Sequence, residues 1–377
     1  MNGVYLDYNA TAPVRPQAAE AVARAFTVGG NPSSVHASGR AARAIVEDAR
    51  NAVAALIGGP ASTVVFTSGG TEANALAIES AVATGSKRLI VSAIEHDSVL
   101  ESAKASGAAV EYLPATADGV VDLAWLAERL ERWDAADGRP FVALMHANNE
   151  TGVIQPIREA SEIVRAAEGW LHVDAIQSAG KIFTDSRGLG ADTLVVSAHK
   201  LGGPQGVGAL TFGPRATLVR RQHGGGQERG RRAGTENVAG IAGFGAAALA
   251  ALRDREIDAG WRDAAAARLK AAGAVVIGET APRLPNTLCV ATPEWGAELQ
   301  VMALDLAGIM VSAGSACSSG KVKASHVLTA MGLTDLAGSA IRVSGGWATT
   351  EEDWAAFATA WEQVQSRHAA RRRAPAA

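Results

Sequence analysis

The chain has 377 residues, enough for one large domain or for a large and a small one. Hydrophobic residues make up 48% and charged residues 19%, and the formal net charge is -3, an ordinary globular composition that argues against a nucleic-acid or membrane partner. No stretch reaches the roughly eighteen consecutive apolar residues of a membrane span, and the start, "MNGVYLDYNATAP", lacks a signal peptide's basic and apolar regions, so a cytoplasmic protein is expected. Only Cys289 and Cys317 carry thiols, too few for a disulfide framework. The basic tail "RHAARRRAPAA" reads as a solvated end.

From Val64 onward, short apolar runs alternate with helical patterns: "VVFT", then a helix from about Thr71; "LIVSA", then one after His96; "FVALMHA", then one after Pro156; then "WLHVDA", "TLVVSA" and "GVGALTF". Continuous β-branched runs separated by helices predict an α/β fold, a mainly parallel sheet with helices on both faces. The Ala-rich segment from Glu236 to about Lys270 is helical in pattern, with a break around Asp258 to Gly260, and bridges to a second unit. There the short strands "AVVIG", "NTLCVA", "IMVSAG" and "AIRVSGG" are separated by helices at about 296–307, 324–331 and 351–367, predicting a smaller α+β domain. No internal repeat is present.

Ligands of open α/β sheets gather at the carboxyl ends of the strands, and the residues that follow these runs are polar. After "VVF" comes "TSGGTEAN", a glycine turn with Thr71 opening a helix, which suits a phosphate and equally suits a plain helix cap. The next strands deliver His96, then Asn148 and Asn149, then Asp174 with Gln177, then His199 and Lys200. A lone histidine is commonly structural, and the two asparagines could cap the next segment. Asp174 is harder to dismiss, because a carboxylate ending an apolar strand needs a cation or several hydrogen bonds. Lys200 in "SAHKLGG" could form a buried ion pair with Asp174; desolvated, it has the depressed pKa that a Schiff-base nucleophile requires. Phosphate cradle, carboxylate for a pyridinium nitrogen, and lysine together fit pyridoxal phosphate better than a nicotinamide or nucleotide. No Gly-x-x-x-x-Gly-Lys-Ser/Thr motif competes, and no metal site is expected.

Ordered blocks along nearly the whole chain carry a family resemblance: "YLDYNATAPV", "GNPSSVHASGR", "VVFTSGGTEANALAI", "MHANNETGVIQPI", "HVDAIQSAGK", "SAHKLGGPQGVGAL", "RRAGTENVAGIAGFG", "SAGSACSSGKVKASHVLTAMG" and "IRVSGGWATTEED". The sequence resembles the cysteine desulfurases of the NifS/IscS type, within class V of the fold-type-I pyridoxal-phosphate enzymes. The resemblance implies a seven-stranded large domain at 13–255, and a small domain made of 1–12 and 256–377 that carries the catalytic-cysteine loop at about 313–325. It implies that Lys200 bonds the cofactor, His96 stacks on its ring and assists proton transfer, Asp174 pairs with the pyridinium nitrogen and Gln177 with the ring hydroxyl. Gly70, Thr71, Ser197 and His199 would hold the phosphate, joined by Thr235 across a homodimer. Asn149, also placed among the cofactor contacts, and Arg342 would grip the substrate carboxylate, and Asn31 would lie near the substrate. Gln205 departs from the lysine that family members commonly carry.

Cys289 lies in an apolar strand pattern, as a small hydrophobe would. Cys317 lies in a Gly/Ser-rich segment with Lys321 and Lys323, which reads as an exposed loop of the long-loop group. By the resemblance, Cys317 attacks the sulfur of L-cysteine, becomes a persulfide, releases alanine and passes sulfur to an acceptor protein such as an iron–sulfur scaffold. A selenocysteine lyase, a class V aminotransferase and a non-catalytic sulfur-transfer platform are the readings that remain open beside this one.

Overall fold

A computed structural model describes residues 3–254, 257–314 and 324–373. Its largest sheet has seven strands in the order Val64–Thr67, Gly208–Phe212, Thr193–Ser197, Trp170–Asp174, Phe141–Met145, Arg88–Ser92 and Ala109–Leu113. Gly208–Phe212 runs antiparallel to both neighbours and every other pairing is parallel, so the carboxyl ends of the other six strands share one edge. The expected mainly parallel α/β sheet is therefore present. Phe141–Met145, Trp170–Asp174 and Thr193–Ser197 are buried at every residue, as central strands covered on both faces must be. Ala109–Leu113 was not foreseen: it is an edge strand with only Leu113 fully buried, so it has no continuous apolar run to read.

Helices Gly70–Ala83, Asp97–Ala105 and Ile157–Ala166 follow the strands as expected. The first 63 residues add two more, Pro16–Val28 and Ala37–Leu56, which pack against Val238–Ala251. At that crossing Gly245 is obligatory, because a side-chain carbon there would lie 2.6 Å from Ala49 Cα. The Ala-rich segment divides into Val238–Ala251, capped by Asn237, and Ala259–Ala271, capped by Asp258.

A second sheet is antiparallel, in the order Ser312–Ala313, Ala340–Ser344, Thr287–Ala291, Val275–Val276. "IMVSAG", expected as one strand, is two: Ile309–Met310 pairs in parallel with Val4–Tyr5, and after Val311 the chain changes sheets so that Ser312–Ala313 pairs with Ala340–Ser344. The expected helix at 324–331 is only His326–Ala330, whereas the last helix extends over Glu351–Arg373. One apolar core runs from Ala18 to Ala251 around the large sheet; another joins Leu6 to residues between Ala265 and Val364. No helix among the described residues is long and apolar enough to cross a membrane.

The free edge of Val64–Thr67 is closed by an ion pair. Arg50 and Glu228, both almost fully buried, form a two-pronged bridge at 2.7 and 2.9 Å. Arg50 also donates to Val64 O at 2.8 Å, and Glu228 accepts from Phe66 N at 3.0 Å, so the groups that another strand would pair with are occupied. Glu228→Ala leaves a buried guanidinium and a bare strand edge, and is expected to cost about 3–5 kcal/mol in urea denaturation. Glu228→Gln, which still accepts a hydrogen bond, should cost less; equal and negligible shifts for both would show that the edge does not depend on the pair.

Candidate active site

The polar residues at the shared strand edge meet in a cavity of about 280 Å³. Nine of the ten residues named for the cofactor line it: Gly70, Thr71, His96, Asn149, Asp174, Gln177, Ser197, His199 and Lys200. Arg342 enters from the second sheet, where it stands opposite both Cys289 and Ser312. Two residues are not brought there. Asn31 sits in an exposed turn, its Oδ1 accepting from Ser33 N at 2.9 Å, and Thr235 is exposed ahead of Val238–Ala251. Cys317 lies outside the described residues, as do Lys321 and Lys323.

Gly70 opens helix Gly70–Ala83 at the cavity, presenting the free N–H groups and positive end of a helix dipole. A side-chain carbon on Gly70 would meet the tip of the Ile176 side chain, so glycine lets the helix start sit close to it. Ser197 ends its strand and the short turn Ala198–Lys200 presents His199 and Lys200 beside it. His199 Nδ1 lies 3.2 Å from Thr11 Oγ1, and burial with the Lys200 and His96 charges pushes its pKa down to about 4, so its ring is neutral at neutral pH.

Asp174 is 5% exposed. Burial pushes its carboxyl up; against this, Ile176 N and Asn74 Nδ2 donate to it at 2.9 and 2.8 Å, and the His96 and Lys200 charges favour its ionised form. Lys200 Nζ donates to Asn9 O and Ala10 O, both at 2.6 Å. Gln177 donates through Nε2 to Asn9 O at 3.0 Å and accepts Lys181 Nζ at 2.8 Å. One amide hydrogen of Gln177 is left for a ligand.

A hydrogen-bond chain missed in the sequence orients the two groups that bracket the cavity. Trp170 Nε1 donates to Thr193 Oγ1 at 3.0 Å, and Thr193 lies 2.9 Å from His172 Nδ1. His172, neutral because burial drives its pKa down to about 3, then carries its proton on Nε2 and donates to Asn74 Oδ1 at 3.0 Å. Asn74 spends its two amide hydrogens on Asp174 and on Ser98 Oγ, at 2.8 and 3.0 Å. Ser98 Oγ lies 2.9 Å from His96 Nδ1, which also accepts from Ser98 N at 3.0 Å. Donors and acceptors alternate without conflict along this chain. His96 is held with Nδ1 accepting, so its neutral ring bears the proton on Nε2, and burial together with the Lys200 charge keeps its pKa low despite Asp174.

Two further residues were missed. Asn9, buried in "YLDYNATAPV", accepts from Lys200, Gln177 and Lys181 and donates to Asn149 O and Thr287 Oγ1. Asp7 receives Arg342 Nη2 at 2.8 Å, while Nη1 reaches Asn149 O at 3.3 Å; Arg342 Nε is buried and has no hydrogen-bond partner among the described residues.

Residues 4–357 match the family described as Aminotransferase class-V. The chain belongs to the class-V aminotransferase family. A cysteine desulfurase IscS of Dictyoglomus turgidum is 40% identical over 364 residues, covering 93% of this chain and 91% of the relative. A cysteine desulfurase of Frankia sp. strain EuIK1 is 44% identical over 377 residues, covering 93% and 88%. Among solved structures, a NifS-like protein superposes with a TM-score of 0.88 at 34% identity, covering 97% of this chain and all of the other. Class-V enzymes depend on pyridoxal phosphate. The cavity of this class-V chain fits that group: a helix start with no room for a side chain suits the phosphate, a buried carboxylate suits a pyridinium nitrogen, and a lysine amine suits the aldehyde.

Asn74→Ala removes one of two donors from Asp174 and frees Ser98 and His172 at once. It is expected to weaken pyridoxal phosphate about tenfold or more in an absorbance titration, the equivalent of roughly 1.5–3 kcal/mol for a hydrogen bond to a charged group. Affinity equal to the parent would show that Asp174 needs no such support. Cys289, fully buried and with its thiol pushed far up by burial, is expected to resist iodoacetamide up to pH 9 and to react only after denaturation. Labelling of Cys289 in the native protein would contradict this.

Proposed function

We infer that this chain is a pyridoxal-phosphate-dependent cysteine desulfurase, converting L-cysteine to L-alanine and leaving the sulfur as a persulfide on Cys317. The observation that carries the site assignment is the gathering of Lys200, Asp174 and His96 from three strand ends of the large sheet, and of Arg342 from the middle of a second-sheet strand, around one cavity. The relatives named as cysteine desulfurases, matching over nine-tenths of the chain, support the reaction. The name of the IscS relatives supports sulfur delivery to an acceptor protein for iron–sulfur assembly. The chain is further read as a cytoplasmic homodimer in which Thr235, exposed in one subunit, serves the cavity of the other. Separate cores on the two sheets support a large domain at 13–255 and a small one from 1–12 and 256–377.

When bound, pyridoxal phosphate supplies an aldehyde for the substrate amine and a pyridinium ring that takes up the electron pair set free at Cα. Lys200 would hold the aldehyde, and Gly70, Thr71, Ser197 and His199 the phosphate. Asp174 and Gln177 would hold the ring's nitrogen and hydroxyl. Arg342, with its unpartnered Nε, and Asn149 orient the substrate carboxylate, and that fixes which Cα bond faces Lys200. The Lys200 amine, once displaced, takes the Cα proton at Nζ, having two carbonyl acceptors to hold the protonated form. His96 is set to give a proton from Nε2, because its Nδ1 is committed to Ser98. In the net reaction the Cys317 thiolate forms a bond to the substrate Sγ as the Cβ–Sγ bond breaks, the carbon gains a proton, and alanine leaves.

Mass spectrometry after adding cysteine without reductant tests this directly. One added sulfur atom on Cys317, with alanine released, is expected in the parent and neither in Cys317→Ala. Lys200→Ala should also lose the visible absorbance band of the bound cofactor. Undiminished alanine formation by Cys317→Ala would overturn the desulfurase reading in favour of a reaction that needs no thiol.

A further inference from the structure

Glu150 stands next to Asn149 in the turn after Phe141–Met145 and is 2% exposed. Asn148 Oδ1 fixes its backbone by accepting Glu150 N at 2.9 Å. Its carboxylate faces away from the large sheet towards two points on the other part of the chain. Ser325 Oγ donates to Glu150 Oε2 at 2.6 Å, and the same hydroxyl caps helix His326–Ala330 by accepting Leu328 N at 3.1 Å. Gly314 packs on the same oxygen: a side-chain carbon there would collide with Glu150 Oε2 and lie 3.7 Å from Ser325 Cβ. One buried carboxylate therefore touches a described residue on each side of residues 315–323, Gly314 directly before them and Ser325 two positions after, and Cys317 is among the residues between. Burial pushes the Glu150 carboxyl up, while the Ser325 hydrogen bond and the neighbouring His326 and Arg342 charges draw it down and Asp97 opposes them. Arg342 belongs to the same cluster through Asn149 O.

We propose that Glu150 is a positioning residue for sulfur transfer: it ties Gly314 and Ser325 together beside Asn149, so that the segment carrying Cys317 starts and ends at a fixed distance from the bound substrate. This rests on the desulfurase reading above. The physical reason is tolerance. Attack by one sulfur on another needs near-contact geometry, and a displacement of about 1 Å costs on the order of a hundredfold in rate. Apart from Asn149, its neighbour in the turn, the residues that would hold the cofactor lie on other elements, and the carboxylate's hydrogen bond goes instead to Ser325. The two halves of the reaction should therefore respond differently to its loss.

The test uses the holoenzyme with Glu150→Ala, Glu150→Gln, Gly314→Ala and the double variant Glu150→Ala with Gly314→Ala. Cofactor absorbance, and its change on mixing with cysteine, should stay within about twofold of the parent in Glu150→Ala. Alanine release and sulfur loading of Cys317, followed by mass spectrometry, should slow roughly ten- to a hundredfold. Glu150→Gln, whose amide oxygen still accepts the Ser325 hydroxyl, should recover most of the rate. Gly314→Ala should slow transfer in the parent, because its methyl meets the carboxylate, yet add nothing once Glu150 is alanine and the space is open. The proposal is overturned if Glu150→Ala turns over at the parental rate, if cofactor binding or the cysteine-induced spectral change falls in step with transfer, or if the Gly314→Ala penalty is the same in both backgrounds. A parent protein that binds cofactor but forms no persulfide would instead overturn the desulfurase reading.

Discussion

A single buried charge organises this molecule. Asp174 ends a central strand at the point where water is excluded, and its carboxylate is tolerable there only because donors are aimed at it. Asn74 can aim one hydrogen at Asp174 only if its amide is not flipped. His172 prevents the flip, being too deeply buried to protonate and so obliged to donate through Nε2. Thr193 and Trp170 fix the histidine in turn. The other amide hydrogen of Asn74 goes to Ser98 Oγ, which lies beside the His96 Nδ1 that the Ser98 N–H already holds as an acceptor. An indole deep in the large sheet is thus linked, through five hydrogen bonds, to the cavity histidine whose tautomer the Ser98 N–H fixes.

Asn9 performs the corresponding task on the opposite wall. Leu6 belongs to the core of the second sheet, whereas Ala12 N already bonds to His199 O on the first. The short segment between them crosses from one core to the other. Asn9 uses both its carbonyl oxygens and its amide there, taking in Lys200, Lys181 and Gln177 and reaching Asn149 and Thr287. Lys181, held well below its ordinary pKa by burial and by the Lys200 and Arg342 charges, donates to Gln177 Oε1 and Asn9 Oδ1. Lys200, Gln177 and the turn that carries Asn149 are thereby registered against one another by one asparagine.

The strand-end residues were readable because each breaks an apolar run, and a polar group at such a place has few structural excuses. The supporting network was not. His172 sits inside an apolar run, Asn74 in mid-helix and Thr193 at a strand start, each with an ordinary local explanation. Their meaning arises only from the register that sets His172 opposite Thr193 and from the helix that lays Asn74 over the strand. The division of "IMVSAG" was hidden for a related reason: apolar continuity records burial, not which strand is the partner. Asn31 and Thr235 were placed by resemblance alone, and within one chain nothing carries either to the cavity.

Glu95 shows how the sheet edge keeps its charge where the chemistry needs it. It is fully buried beside Asp174, and two carboxylates so close cannot both ionise in a region without water. The difference in their partners decides which one does. Asp174 has a side-chain amide, a backbone N–H and the charges of His96 and Lys200 on its side. Among the described residues Glu95 has the backbone N–H groups of Met145 and His96, and its Oε2 has no hydrogen-bond partner there. Burial and the Asp174 charge therefore hold the Glu95 carboxyl well above the ordinary range, so it keeps its proton more readily than an exposed carboxyl does. The unsatisfied oxygen costs stability, on the order of 1–3 kcal/mol. In return, ionisation at the strand ends is favoured at Asp174, the carboxylate that lines the cavity, over Glu95 behind it.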